Sequence, residues 1–370
     1  MSHRNRFWLI LLFSCLLFPV SSPLLAQLKR EKRPVNRVAP SRVLVVLNTN
    51  SQDSIAIAAY YVRKRHIPAS NVCQITCPTA EGIPYNLYES QIQKPIKAWM
   101  EKANLKIDYM VLTKGIPIRT DPGGYSPDSL LAAMDLQNPV VDENLQKTRK
   151  ETRYLNPYFS QNEPFTHERF GTYLVTRLIG YTRADCIRLI ENSLIATGSN
   201  GPFLFHTGQG RDTPGYKDFN DSMRRAHAIL SSKGYKCFLS TGIKFPGDYR
   251  DLMGYASWAS NDFHYDKKAY NNLTFVPGAL AETAVSGSGR TFDDPNAKGQ
   301  SLIGDLIAQG VTGCKGYVAE PYVDSMARIQ LLFDRYTSGY NLAESFSMAS
   351  QLVHWRDIII GDPLCTPYAK

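Results

Sequence analysis

The 370-residue chain has no Cys-x-x-Cys pair, no Gly-x-Ser-x-Gly elbow, no Walker A loop and no Gly-x-Gly-x-x-Gly fingerprint. These gaps exclude a thioredoxin-type redox centre, an α/β-hydrolase nucleophile turn, a P-loop nucleotidase and a dinucleotide-binding fold of the common kind. Cys73 and Cys77 have three residues between them and no His at zinc-finger spacing, so a structural zinc site is not indicated. Long apolar runs are scarce as well. There is one, residues 7–26, and a mean hydropathy of −0.27 excludes a multi-span membrane protein. With 43% hydrophobic and 20% charged residues the chain is neither disordered nor a coiled coil, and no repeat is visible.

The formal charge of +9 invites a nucleic-acid reading. Its distribution argues against it. Seven of those nine charges lie in residues 1–42, and no nucleic-acid motif accompanies the other two. Residues 1–26 have a basic start, the apolar run and a small residue, Ala26, as expected of a signal peptide cleaved there or of an uncleaved anchor. Residues 27–42 hold six Lys and Arg against one Glu, with Pro34 and Pro40, and read as a solvated linker or a contact to anionic lipid headgroups. The expected location is therefore outside the cytoplasm, periplasmic or extracellular, either free or membrane-tethered. Six cysteines follow the signal, mostly in apolar runs where buried free thiols are the default.

From residue 43 onward, short β-branched runs alternate with helical periodicity. RVLVVLN (42–48), a segment near Val72, DYMVLT (108–113) and GTYLVTRL (171–178) read as strands. Helices are expected at 51–66 with Ile55, Ala58, Ala59 and Val62 inward, at 89–104 and near 183–195. The small polar turn ATGSNG (196–201) divides a first α/β subdomain, 43–195, from a second, 196–370. In the second, strands are expected at 202–206, 235–240, 251–258, 279–285, 311–320 and 358–363. Helices are expected at 217–233, 299–310, 322–338 and 341–351. The fold class is α/β, as two doubly wound, mostly parallel subdomains.

Ligands gather at the carboxyl ends of parallel strands. The candidates there are Lys114, Arg119, Arg177 and Asn261 for binding, and Asp262, Glu282, Glu320 and Ser286 for catalysis. Asp262 follows YASWASN and reads as a base, a metal ligand or a turn residue. Glu282 inside ALAETAV is costly to bury unpaired, so it is exposed, paired to Lys or Arg, or part of a site. If Asp262, Glu282 and Glu320 converge, they hold a divalent cation or divide acid and base roles. Otherwise no cofactor is expected. His206 ends a strand and is a further candidate.

LTKGIPIR (112–119), YLVTRLIGYT (173–182), GYASWASND (254–262), PGALAETAVSGSGRTF (277–292), GQSLIGDLIAQGVTGCKGYVAEPY (299–322) and GDPLC (361–365) resemble, in order and spacing, a bacterial family that occurs with exosortase and its sorting-tagged exported proteins. More distantly, the layout resembles gingipain-type cysteine peptidases of the caspase-like fold. DYMVLTKGIP is similar to their strand before a Gly and Pro, YLVTRL to a strand with an Arg, here Arg177, and YASWAS to their Tyr-x-Gly-His-Gly-Ser segment. The resemblance implies a caspase-like architecture but not the reaction. Trp258 stands where the catalytic His belongs, and ALAETAVSGSG contains no Cys. An indole cannot shuttle protons as imidazole does. The expectation is a binding or assembly factor for exported or surface proteins or polymers, with a carboxylate-based hydrolase as the alternative.

Overall fold

The computed structural model describes residues 38–369. The segment expected to be a signal or anchor and most of the basic segment lie outside the described residues. The end of that segment is docked rather than solvated. Pro40–Arg42 forms a 3-10 turn, and Arg42 pairs with Asp108 at 2.6 Å and Glu168 at 2.7 Å.

The expected alternation produces one central sheet. Its strands are β1 (Val43–Asn48), β2 (Val72–Ile75), β3 (Tyr109–Thr113), β4 (Leu174–Leu178), β5 (Phe203–His206), β6 (Cys237–Ser240), β7 (Leu252–Ser257), β8 (Phe275–Thr283), β9 (Gly313–Tyr317) and β10 (Asp357–Gly361). The spatial order is β2-β1-β3-β4-β10-β9-β8-β7-β5-β6. Every neighbouring pair is parallel except β9 and β10, which run antiparallel. Two five-stranded parallel halves therefore meet at one antiparallel seam. The first half takes its fifth strand, β10, from the end of the chain. The strands of the two halves end on opposite edges of the sheet, so the candidate residues fall on two separate edges.

The main helices are α1 (Gln52–Arg65), α2 (Lys94–Lys102), α3 (Pro127–Ala132), α4 (Arg183–Ile195), α5 (Lys217–Ser232), α6 (Ile303–Ala308), α7 (Ile329–Thr337) and α8 (Leu342–Ala349). Capping boxes start two of them: Thr182 with Asp185 at α4, and Asn341 with Glu344 at α8. On one face a continuous core joins Val45, Val111, Leu204, Tyr255 and Ala281 to α1, α4 and α6. On the other face two clusters are separate. Leu44, Met110 and Val175 pack under α2 and α3, and Phe205, Met253 and Leu280 under α5, α7 and α8. Fully burying each such aliphatic or aromatic side chain contributes about 1.5–3 kcal/mol.

Two local expectations are corrected. α1 turns Ser54, Ile57, Ala58 and Tyr61 inward, while Ile55 and Ala59 are exposed. The cause is polar. The Ser54 hydroxyl oxygen accepts from the Asn48 N–H at 2.7 Å and hydrogen-bonds Thr113 Oγ1 at 2.6 Å, which sets the rotation of the helix. The helix expected near 322–338 starts only at Ile329, after a 3-10 turn at Val323–Ser325. Buried charges use the intervening backbone: Lys315 Nζ donates to the Ser325 carbonyl, and the Ala327 N–H donates to Glu282.

Candidate functional site at the strand ends

At the edge where β3 and β4 end, the polar side chains are occupied internally. Arg177 is fully buried. Its Nη2 meets Asp128 at 2.5 Å, its Nη1 donates to the Ile116 carbonyl at 2.6 Å, and Nη2 also reaches the Pro117 carbonyl at 2.9 Å. Arg177 therefore clamps the 114–119 loop and is out of reach of solvent. Lys114 Nζ donates to the Phe292 carbonyl and pairs with Asp293, both at 3.3 Å. Arg119 lies beside Asp121 at 3.3 Å.

The opposite edge carries the acidic candidates but does not gather them. Side chains alternate across a strand. Glu282 therefore faces the α5–α7–α8 side. There its Oε1 accepts from the Tyr317 hydroxyl at 2.5 Å and the Ala327 N–H at 3.3 Å. Oε2 is buried with no partner. Burial pushes its carboxyl up to about 7, against the opposing influence of Lys315 and the Tyr317 bond. Asp262 sits on the other side of the sheet, with His206. Glu320 is exposed and caps the Tyr322 N–H at 3.0 Å. Among the described residues, no imidazole or carboxylate hydrogen-bonds to Ser286, and no group of three or more His, Cys, Asp or Glu side chains could hold a metal ion.

The space after β7 is filled. The Trp258 indole is buried and donates to Asn220 Oδ1 at 2.7 Å, edge-on to Phe219. Ala284 stands beside it just after β8, its N–H bonded to the Ser257 carbonyl. Asn261 closes the gap: its Nδ2 donates to the Ala284 carbonyl at 2.7 Å, and its Oδ1 accepts from Gln300 at 3.2 Å. Over this plug lies Arg211, for which the sequence carries no motif. Its guanidinium is 5.0 Å from the Trp258 ring centre, 5.1 Å from Tyr216 and 4.8 Å from Phe263. One nitrogen donates to the Asn261 carbonyl, Nε is buried without a partner, and no carboxylate pairs with it among the described residues. Gly208 permits this closeness, since a Cβ there would meet Trp258 Cδ1 at 2.7 Å and Arg211 Cγ at 2.8 Å.

On the other side of the same strand ends, three side chains converge. His206 ends β5, Ser240 ends the neighbouring β6, and Asp262 follows β7. The register places His206 opposite both Ser240 and Ser257. Ser240 Oγ is 2.9 Å from His206 Nδ1, and His206 Nε2 is 3.2 Å from Asp262 Oδ2. The His264 N–H holds Asp262 Oδ1 at 2.8 Å. Burial pushes Asp262 up, but the bonds from His206 and the His264 N–H outweigh it and leave the carboxyl below its usual range. Asp262 and His206 were each legible as candidates. Ser240 was not, because only strand register brings it in.

All six cysteines among the described residues are free thiols, five of them buried. No helix among the described residues is long and apolar enough to cross a membrane. No protein-family model and no curated protein matches the chain.

Proposed function

We propose that this chain is an exported protein of caspase-like architecture that has given up the Cys–His peptidase site and binds a carboxylate-bearing exported chain or surface polymer there. The observation that carries the reading is Arg211. It is a cation at the dyad position, framed by three aromatic rings, with no acid of its own. A partly buried arginine on aromatic faces is preorganised for an anion, since ring quadrupoles and one carbonyl leave its donors unspent. Phe263 and Tyr216, 72% and 41% exposed, leave the approach open. The parallel neighbours β7 and β8, followed at once by Trp258 and Ala284, support the architecture, because the resemblance puts the dyad at those two strand ends.

Titration calorimetry with poly-L-glutamate tests the binding. The wild-type protein should bind, and Arg211→Ala should weaken binding at least about tenfold, the loss of one charge-assisted contact. Equal affinity in both proteins ends the reading. Export has its own measurement. Cleavage after Ala26 leaves a chain beginning at Gln27, which N-terminal sequencing of the protein from the cell envelope would show. An intact Met1 terminus in the cytosol would contradict it.

A further inference from the structure

The Ser240–His206–Asp262 chain is not needed for anion binding and lies on the other side of the strand ends from Arg211. Its composition is that of a nucleophile, a base and an orienting carboxylate. From its geometry we infer that Ser240 is the nucleophile of an acyl-transfer site, with His206 as its base and Asp262 facing the imidazole, acting on carboxylic esters.

Three features support the assignment. Ser240 hydrogen-bonds His206 at 2.9 Å, the imidazole's other nitrogen lies 3.2 Å from an Asp262 oxygen that is buried with no other partner, and the three side chains come from three different strand ends. The base and the carboxylate are buried, with side chains 1% exposed, while Ser240 is only half-buried and meets solvent. A groove of about 490 Å³ adjoins them. Two of its walls touch the site: the Phe245 ring packs edge-on to the His206 imidazole at 5.2 Å, and His264 supplies the N–H that fixes Asp262. Ile243 and Tyr265 give the groove an apolar part, and Lys244, Asp248, Asp266 and Lys268 a charged one, so it is open to an ester with a polar leaving group. The N–H groups of Thr241 and Gly242, directly after the nucleophile, are bonded to no acceptor among the described residues and are free to receive an oxyanion.

The imidazole nitrogens are used in the reverse of the more familiar order, with Nδ1 toward the serine. This follows from the sheet, because Nδ1 lies nearer the backbone and Ser240 is on the adjacent strand. A proton on Nε2, the nitrogen that faces the Asp262 carboxylate, leaves the Nδ1 lone pair for the Ser240 hydroxyl. In the step, Ser240 Oγ bonds to the ester carbonyl carbon, its proton passes to Nδ1 and the carbonyl π pair moves onto oxygen. The pair then returns, the C–O bond to the leaving group breaks, and the alcohol departs with the Nδ1 proton. Water repeats the sequence on the acyl-enzyme, releases the acid and restores Ser240.

The test is labelling of the full chain with a fluorophosphonate, read by intact mass and peptide mapping, alongside hydrolysis of p-nitrophenyl butyrate. Wild type should take up one equivalent at Ser240. Ser240→Ala should show none, and Asp262→Asn should label at least about a hundredfold more slowly. Ser240→Cys provides a second route should the alanine variant fold poorly: its iodoacetamide alkylation should slow when His206→Gln is added. A hydrogen-bond chain that is only structural predicts lower melting temperatures and no adduct. No adduct, an adduct on another serine, or labelling indifferent to Asp262→Asn overturns the inference. The polyglutamate measurement reads a different site, so either result can fail without the other.

Discussion

The two half-sheets share an architecture but treat charge differently. In the first half the buried charges are matched. Arg177 meets Asp128, and Arg42 meets Asp108, with backbone carbonyls taking remaining donors of Arg177. In the second half, apart from Lys315, which pairs with Asp357 across the seam at 3.1 Å, they are left over. Arg211 has aromatic rings but no acid, Glu282 has a tyrosine but no bonded cation, and Asp262 depends on an imidazole. Buried unpaired charge costs stability. A fold that carries it on one edge and avoids it on the other marks the first edge as the place where ligands or reactions would offset that cost. Both edges are strand ends of parallel sheets, so topology alone would not have distinguished them.

The largest effect should come from breaking the matched side. Arg177→Met leaves Asp128 buried and uncompensated and frees the Ile116 and Pro117 carbonyls, so denaturant titration should show a loss of about 3–5 kcal/mol. A loss under about 1 kcal/mol would mean that the pairing of the first half carries no structural weight.

Next is Glu282, where the second half should reveal its cost through pH. The carboxyl sits at about 7 in the folded protein, against 4.5 as its ordinary value. Between those values the folded chain keeps a proton that the unfolded chain has released. Stability is therefore highest below pH 4.5 as far as this group is concerned, and falls as pH rises through 7, by about 3 kcal/mol in all. Glu282→Gln keeps an oxygen for Tyr317 and the Ala327 N–H and removes the ionisation. Its stability between pH 5 and 8 should be flatter than wild type by that amount. Parallel curves would show that Glu282 is ionised and paid for elsewhere.

Much of this contrast was hidden in the sequence, for definite reasons. Strands such as RVLVVLN and DYMVLT were legible because both faces are buried and their apolar runs are unbroken. The continuous sheet was not, because β10 sits between β4 and β9, neighbours far from it in the chain. Expected as two subdomains, the halves share one core face. Trp258 was legible as standing where the resemblance calls for a His, and Glu282 as a residue needing an explanation. Its partners, a tyrosine hydroxyl 35 residues on and a backbone N–H, leave no local signal. Ser240 and Arg211 were missed for the same reason: register and loop geometry, not neighbouring residues, give them their company.

The smallest expected effect is the most discriminating between the two edges. Phe263 is 72% exposed and touches Arg211 and the space beside Gly210. A residue that exposed contributes little to folding, so Phe263→Ser should leave stability within about 0.5 kcal/mol of wild type. The same change removes one of the three rings around the guanidinium, each worth about 0.5–1 kcal/mol at an exposed site. Polyglutamate affinity should then fall about two- to fivefold, while the unfolding curve stays in place. An exposed aromatic kept for folding would produce the opposite pattern, a shifted melting curve and unchanged binding. That outcome would return the second edge to the same footing as the first, with its charges serving structure alone.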